Sequence, residues 1–320
     1  MQEFPTVSVV IPSWNQGRYI GRTLESILKQ DYPGKVEVIV SDGGSTDETV
    51  DVLKSYGNRL IWWSARDKGF VDAVTKGVAR ASGEILAIQS SDDYYLPGAF
   101  RAMAKAFQQH PEASFVSGGD CAIDLENQIL TANIGNGLIT PRSILLEAVP
   151  PQHATFAKIA LFRETGGMRP EVDMCADIDQ WYRLAHLAPG VYIPAYMAVY
   201  QLHPNQRTVT SDKWAPNLIE MVESCERNPQ YGSHFKLDAE NKRNLYTYWR
   251  IIWTFKRDPK EASDLAFKEL PKLLTYDRRT SRMILGASIS YSLKKMLGMD
   301  NKTPVPKDAA KMGIDLNWWK

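Results

Sequence analysis

The constraint that most limits this chain is the order of its apolar runs. Val7–Ile11, Val36–Val40, Leu60–Trp63 and Ile85–Ile88 are short, continuous and hydrophobic. Such runs mark strands covered on both faces. Helical patterns lie between them. Ile20, Leu24, Ile27 and Leu28 share one face, Ser45 or Thr46 can cap a helix through Val50, Leu53 and Lys54, and Val71–Ala81 forms a third helix. Repeated strand-then-helix units predict a parallel sheet with right-handed crossovers. Ligands bind such sheets beyond the C-terminal strand ends. The loops starting at Pro12, Ser41, Ser64 and Gln89 should therefore meet at one site.

The middle of the chain is mixed. Ser114–Gly118 reads as a strand, and Asp124–Asn127 as a turn before Ile129–Ala132. His153–Ala157 reads as another strand, with a helix from Ile159 that stops at Gly166-Gly167. Ile178–Leu187 is helical and Val191–Tyr200 is strand-like. From residue 212 the patterns are helical only, as in Leu245, Trp249 and Ile252 or Leu285, Ile289, Leu293 and Met296. Two domains are expected, residues 1–211 and 212–320. The charge agrees: residues 1–212 carry 18 Lys/Arg and 24 Asp/Glu, whereas residues 213–320 carry 20 and 13. The net charge of +1 gives no basic footprint for nucleic acid.

Three dispersed cysteines, Cys121, Cys175 and Cys225, predict a reducing compartment. There is no signal-peptide pattern and no apolar run of membrane-spanning length, so the expected location is cytoplasmic.

Several residues could carry chemistry. Asp92-Asp93 follows the fourth strand, and adjacent carboxylates repel unless a cation lies beside them. Their hard oxygens suit Mg²⁺ or Mn²⁺, which in turn suit a diphosphate. The ordinary alternative is a capped turn before a helix at Pro97. Asp42 ends the second strand and could accept hydrogen bonds from a base or ribose, or simply close its own turn. Asp67, Asp72 and Asp177 could equally be polar helix starts. His153 and His203 lie in polar loops.

Taken together these residues resemble family 2 glycosyltransferases with the GT-A fold. The resemblance rests on Pro12-Ser13-Trp14-Asn15-Gln16 with Tyr19-Ile20, and on Ser41-Asp42-Gly43-Gly44-Ser45-Thr46-Asp47. It continues through Asp67-Lys68-Gly69, Asp72-Ala73, Lys76-Gly77, Ser91-Asp92-Asp93 and Pro97, to Ala176-Asp177-Ile178-Asp179-Gln180-Trp181. It covers residues 5–205. It implies an α/β fold with a mostly parallel central sheet flanked by helices, followed by an all-helical extension. It also implies inverting transfer of a sugar from a nucleotide-diphosphate donor to a hydroxyl of a glycan or lipid-linked acceptor, in cell-surface polysaccharide synthesis.

By that resemblance, Pro12, Trp14, Asn15, Tyr19, Asp42, Gly43, Asp67, Lys68, Gly69, Asp72, Lys76, Ser91, Asp92 and Asp93 form the nucleotide-sugar site. Asp42 touches the base. Asp92 and Asp93 hold Mg²⁺ or Mn²⁺, although Ser90 stands where the family's Asp-x-Asp motif has its first Asp. Asp177 is the general base. His153, Thr155, Asp179 and Trp181 lie on the acceptor side, and His203 lies near the diphosphate. Two rivals remain at this stage. A nucleotidyltransferase would need a Gly-rich basic first loop, which Trp14-Asn15-Gln16-Gly17-Arg18 supplies poorly. A non-catalytic nucleotide-sugar scaffold would not need both Asp92 and Asp177. The residues after 212 have two readings. The first is a helical subdomain whose aromatics Tyr246, Trp249, Trp253 and Phe255 are mainly core. The second is peripheral contact with an anionic inner membrane surface, because Arg278, Arg279, Arg282, Lys294 and Lys295 flank an apolar stripe.

Overall fold

The computed structural model describes residues 4–146, 149–207 and 214–228, with residues 260–261, 264–265, 268, 309, 312 and 314–319. The chain forms two compact units, residues 1–209 with 304–320, and residues 210–303. The apolar stripes and basic residues expected between 245 and 296 lie outside the described residues. In the second unit, helix Trp214–Arg227 buries Met221, Val222 and Cys225. Among the described residues no helix is long and apolar enough to cross a membrane.

The first unit opens with β1 (Val7–Ser13), α1 (Gly17–Leu28), β2 (Val36–Asp42), α2 (Thr49–Ser55), β3 (Ile61–Ser64), α3 (Phe70–Val78) and β4 (Ile85–Ile88). There follow β5 (Tyr94–Tyr95), α4 (Ala99–Gln109), β6 (Phe115–Ile123), β7 (Ile129–Asn133), β8 (Gly137–Ile139) and α5 (Pro141–Leu146). The last elements are β9 (Thr155–Lys158), α6 (Ile159–Glu164), α7 (Ala176–Leu187) and β10 (Gly190–Gln201).

One sheet runs β3-β2-β1-β4-β9-β6-β10-β5, with β7 beside β6 and β8 beside β10. β1 is parallel to β2 and β4, and β2 to β3. β9 is antiparallel to both β4 and β6, which restores the common direction in β6 and β10. The sheet is therefore mostly parallel, as expected, with β9 as a reversed strand inside it. β9 falls on the strand expected over His153–Ala157, although its reversed direction has no local signal, and the two-residue β5 carries no clear sequence signal.

Both faces of β1 are covered. Val7, Val9 and Ile11 pack with Ile20 and Leu24 of α1 and with Phe100, Met103 and Phe107 of α4. On the other face α3 approaches closely: a Cβ at Gly77 would lie 2.4 Å from Val10 Cγ1. Two-sided burial is why these strands read as unbroken apolar runs. β3 is the edge strand and is half exposed, with Ile61 at the surface.

α7 is held by a buried ion cluster. Asp179 is fully buried and accepts from Arg183 Nε at 2.9 Å and Nη2 at 2.7 Å, and from Arg169 Nε at 3.0 Å. Arg183 also donates to the Thr165 and Gly167 carbonyls at 2.6 and 2.7 Å, fixing the turn at Gly166-Gly167. Residues 314–319 pack on the first unit, where Ile314 joins Tyr94, Leu96, Cys121, Ile123, Ile129 and Val199.

Removing one partner of a buried ion cluster leaves a charge without compensation. Asp179→Ala is expected to cost about 3–5 kcal/mol in urea unfolding, because Arg183 stays buried. A loss below about 1 kcal/mol would show that Arg183 finds another counter-charge or reaches water.

Candidate active site

The parallel register of β1, β2, β3 and β4 brings their C-terminal loops to one edge, and hydrogen bonds tie those loops together. Asn15 takes a left-handed backbone, φ 52°. Its N–H donates to Ser45 Oγ at 2.7 Å, and its Oδ1 accepts from the Thr46 N–H at 2.8 Å. Asn tolerates this conformation better than most side chains. Beside it Trp14 is 64% exposed. Pro12 is buried and lies opposite Ser41 in the β1–β2 register.

Asp42 is fully buried. Its carboxylate accepts from the N–H groups of Gly44 and Ser45 at 3.1 and 2.9 Å, and from the hydroxyls of Ser45 and Ser64. Four donors fill the capacity of a carboxylate. In this structure Asp42 closes the loop after β2 and joins it to β3. The carboxylate of Asp67 lies against Gly43, where a Cβ would sit 2.8 Å from Asp67 Oδ2. Asp67 Oδ1 accepts from the Gly69 N–H at 2.9 Å, and Gly69 has φ 111°. Asp72 accepts from the Lys68 N–H at 3.0 Å and pairs with Lys76 Nζ at 2.6 Å, so both serve the start of α3.

Asp92 and Asp93 diverge. Asp92 Oδ2 lies 2.9 Å from His203 Nε2, and His203 stacks on Tyr19 with ring centroids 4.8 Å apart. Asp93 points inward, against the expectation of a shared cation site. Its Oδ1 accepts from the Gln201 N–H at 3.0 Å, and its Oδ2 lies 3.8 Å from His153 Nδ1. Burial, with the charge of Asp92, pushes the Asp93 carboxyl well above the usual range. α1 braces the turn. Thr23 Oγ1 donates to the Ser91 and Asp93 carbonyls at 2.9 and 2.6 Å, and Arg22 Nη2 donates to Gln201 Oε1 at 2.9 Å.

His153 connects this turn to β6. Its Nε2 lies 3.0 Å from Asp120 Oδ2, and Asp120 Oδ1 accepts from Asn133 Nδ2 at 3.1 Å. Burial opposes charge on both partners. Their mutual contact outweighs it, raising the His153 pKa and lowering that of Asp120, with Asp93 and Asp177 also favouring the imidazolium. Asp177 begins α7. Burial raises its pKa, against the lowering effects of the Ile178 N–H and of Arg207 and His153. Arg207 also pairs with Asp173 and lies over the Phe70 ring, 5.2 Å from its centroid.

Three residues expected on the acceptor side are interior. Asp179 is two residues beyond Asp177, which in a helix turns it to the opposite side, into the arginine cluster. Trp181 packs on Phe115, with ring centroids 5.6 Å apart. Thr155 is buried on β9, its hydroxyl 2.9 Å from that of Ser117.

Sequence reasoning missed Asp120, Arg22, Gln201 and Arg207. Asp120 carried a usable signal, an acid near the end of an apolar strand, as at Asp42. Arg22 had none, since it lies in a helix whose apolar stripe explains the pattern. Ser13 Oγ, Gln16 Oε1 and both amide atoms of Gln89 are buried at the same strand ends with no hydrogen-bond partner. Such atoms are costly unless something pairs with them.

Known proteins are similar to this chain. The glycosyl transferase family 2 model matches residues 8–156. The chondroitin synthase of Escherichia coli is 28% identical over 196 residues, covering 60% of this chain and 28% of that protein. The chain spans about a third or less of the length of such curated relatives. Residues 1–349 of S. aureus TarS, solved with UDP-GlcNAc, align at a TM-score of 0.60 and 15% identity, covering 93% of both chains. A mannosyltransferase from Pyrobaculum calidifontis, solved with GDP-Man and Mn²⁺, aligns at 0.57 and 18% identity, covering 92% of this chain and 84% of that one. Through residues 8–156 the chain is similar to glycosyl transferase family 2, and its first unit has the GT-A fold.

Proposed function

We propose that this chain transfers a sugar from a nucleoside-diphosphate donor to a hydroxyl of a glycan or lipid-linked acceptor, with inversion, in polysaccharide or glycoconjugate synthesis. The observation that carries this reading is the pair of carboxylates in unlike surroundings within one network. Asp92 Oδ2 lies 2.9 Å from His203 Nε2, while burial raises the pKa of Asp177 beside His153. Divergent environments separate acid–base roles. The unpaired polar atoms of Ser13, Gln16 and Gln89 offer a ligand hydrogen bonds at the same strand ends. The family match and the nucleotide sugars bound by the S. aureus and P. calidifontis proteins support a donor of this class.

In this reading the nucleotide lies along Trp14, Asn15, Gly43, Asp67 and Gly69, and Asp42 acts by shaping the loop. Asp177 accepts the proton of the attacking hydroxyl as the bond to the sugar forms. A carboxylate whose pKa is raised holds that proton well at neutral pH. His153, whose cationic form Asp120 favours, lies near enough to favour the ionised form of Asp177 before the reaction.

The donor set fits Mg²⁺ or Mn²⁺ in part. Asp92 Oδ2 and His203 Nε2 offer one oxygen and one nitrogen. Among the described residues there is no group of three or more His, Cys, Asp or Glu that could hold a metal ion. A cation would therefore take its remaining ligands from the diphosphate and water. When bound, it neutralises charge on the leaving diphosphate.

Asp177→Asn is expected to keep donor binding and lose transfer by roughly 10²–10⁴-fold. Near-normal turnover would move the base elsewhere. Because Asp177 must be ionised to act and its pKa is raised, kcat/KM should climb with pH through a midpoint above the ordinary Asp value. A flat profile from about pH 4 upward would contradict this. Asp92→Ala should abolish the effect of Mn²⁺ on nucleoside-diphosphate affinity by calorimetry, whereas an unchanged effect would remove Asp92 from the metal. If the acceptor is lipid-linked, the basic residues Arg278 to Lys295 should bind the chain to anionic vesicles at low salt, read by co-sedimentation.

A further inference from the structure

Residues 314–319 lie against β5, the two-residue strand that directly follows Asp92-Asp93. Ile314 is buried beside Tyr94. Trp318 Nε1 donates to the Tyr95 carbonyl at 3.0 Å, and the Tyr94 hydroxyl donates to the Leu316 carbonyl at 3.4 Å. The Trp319 carbonyl accepts from Lys29 Nζ of α1 at 2.6 Å. This segment thus ties β5 to the helix that braces the Asp92 turn.

The contacts continue inward. The Arg22 guanidinium lies over the Tyr94 ring, 4.3 Å from its centroid. Its Nη2 donates to the Asp92 carbonyl at 3.3 Å and to Gln201 Oε1 at 2.9 Å. Gln201 in turn donates its N–H to Asp93 Oδ1 at 3.0 Å. An unbroken path of packing and hydrogen bonds runs from Leu316 and Trp318 through Tyr94 and Arg22 to the turn. β5 pairs with β10 only through Ala198 and Val199. So short a strand needs support from its other side to hold its position. Small displacements of a binding group are costly, with about 1 Å worth about 10²-fold in rate.

We propose that residues 314–319 are a clasp that positions the Asp92–Asp93 turn through Tyr94 and Arg22. The nature of the ligand that benefits, a nucleoside diphosphate with a divalent cation, rests on the glycosyltransferase reading. The clasp residues are positioning residues and touch no substrate. The segment therefore belongs functionally to the donor site, although about a hundred residues separate it from the rest of the first unit.

The test uses Trp318→Ala and Trp318→Phe in the full chain, with Leu60→Ala as a destabilised control away from the turn. Trp318→Phe keeps an aromatic ring while removing the N–H donor and part of the indole, so it remains informative if Trp318→Ala fails to fold. Two readouts are taken. The first is hydrogen exchange at the amides of Asp93, Tyr95 and Gln201, each bonded within the turn. The second is calorimetric affinity for UDP and for GDP, each with Mn²⁺. The expected result is faster exchange at these amides and about tenfold weaker binding of whichever nucleotide the unmodified chain binds, with neither effect in Leu60→Ala. Unchanged exchange overturns the clasp. Faster exchange with unchanged affinity overturns its positioning role. If the unmodified chain binds neither nucleotide, the donor reading fails, and exchange alone decides whether the clasp holds the turn.

Discussion

The parallel pairing of β1 with β2 on one side and β4 on the other is the constraint on which the rest depends. Parallel strands joined by helices leave the sheet at the same edge. Loops from three neighbouring strands, with β3 beyond them, are thereby forced together whatever their sequences. Side-chain chemistry then decides what the shared edge does. Asn15 reaches to Ser45 and Thr46, Asp42 reaches to Ser64, and Asp67 lies against Gly43. Each bond joins loops that are distant in sequence, so the edge behaves as one surface.

Charge at this edge is arranged by pairing each acid differently. Asp42 is saturated by donors from its own neighbourhood and becomes architecture. Asp92 meets an imidazole at the rim. Asp93 is turned inward towards His153, where burial and the charge of Asp92 disfavour ionisation. Asp120 and His153 stabilise each other as an ion pair, and Asp177 is left with a raised pKa at the start of α7. Asp179, two residues away, is neutralised by two arginines and anchors the helix that presents Asp177. One short acidic motif thus holds a carboxylate with a raised pKa and the anchor of its helix, separated by the turn of that helix.

Much of this was legible from residue order. Val7–Ile11, Val36–Val40 and Ile85–Ile88 could be recognised as buried strands because burial on both faces demands unbroken apolar runs. The helices beside them followed from the spacing of residues such as Ile20, Leu24 and Ile27. The acids at the strand ends were legible in position, because they directly follow those runs, but not in role. The direction of β9 and the presence of β5 were not legible. β9 enters the sheet reversed between β4 and β6, and no local pattern reports the direction of a strand. β5 has two residues, too few for any periodicity.

The residue order by itself determined the alternation of strands and helices, and with it a sheet whose acidic loops share an edge. It also determined which acids end those strands. Only the tertiary structure decided what each acid does. The pattern of a carboxylate in sequence is the same whether its oxygens meet backbone N–H groups, an imidazole, a guanidinium or an apolar wall. Those partners come from elsewhere in the chain: Ser64 for Asp42, His203 for Asp92, His153 for Asp93 and Arg169 for Asp179. Long-range packing brings them together, and electrostatic energy at such short distances is set by that packing rather than by spacing along the chain.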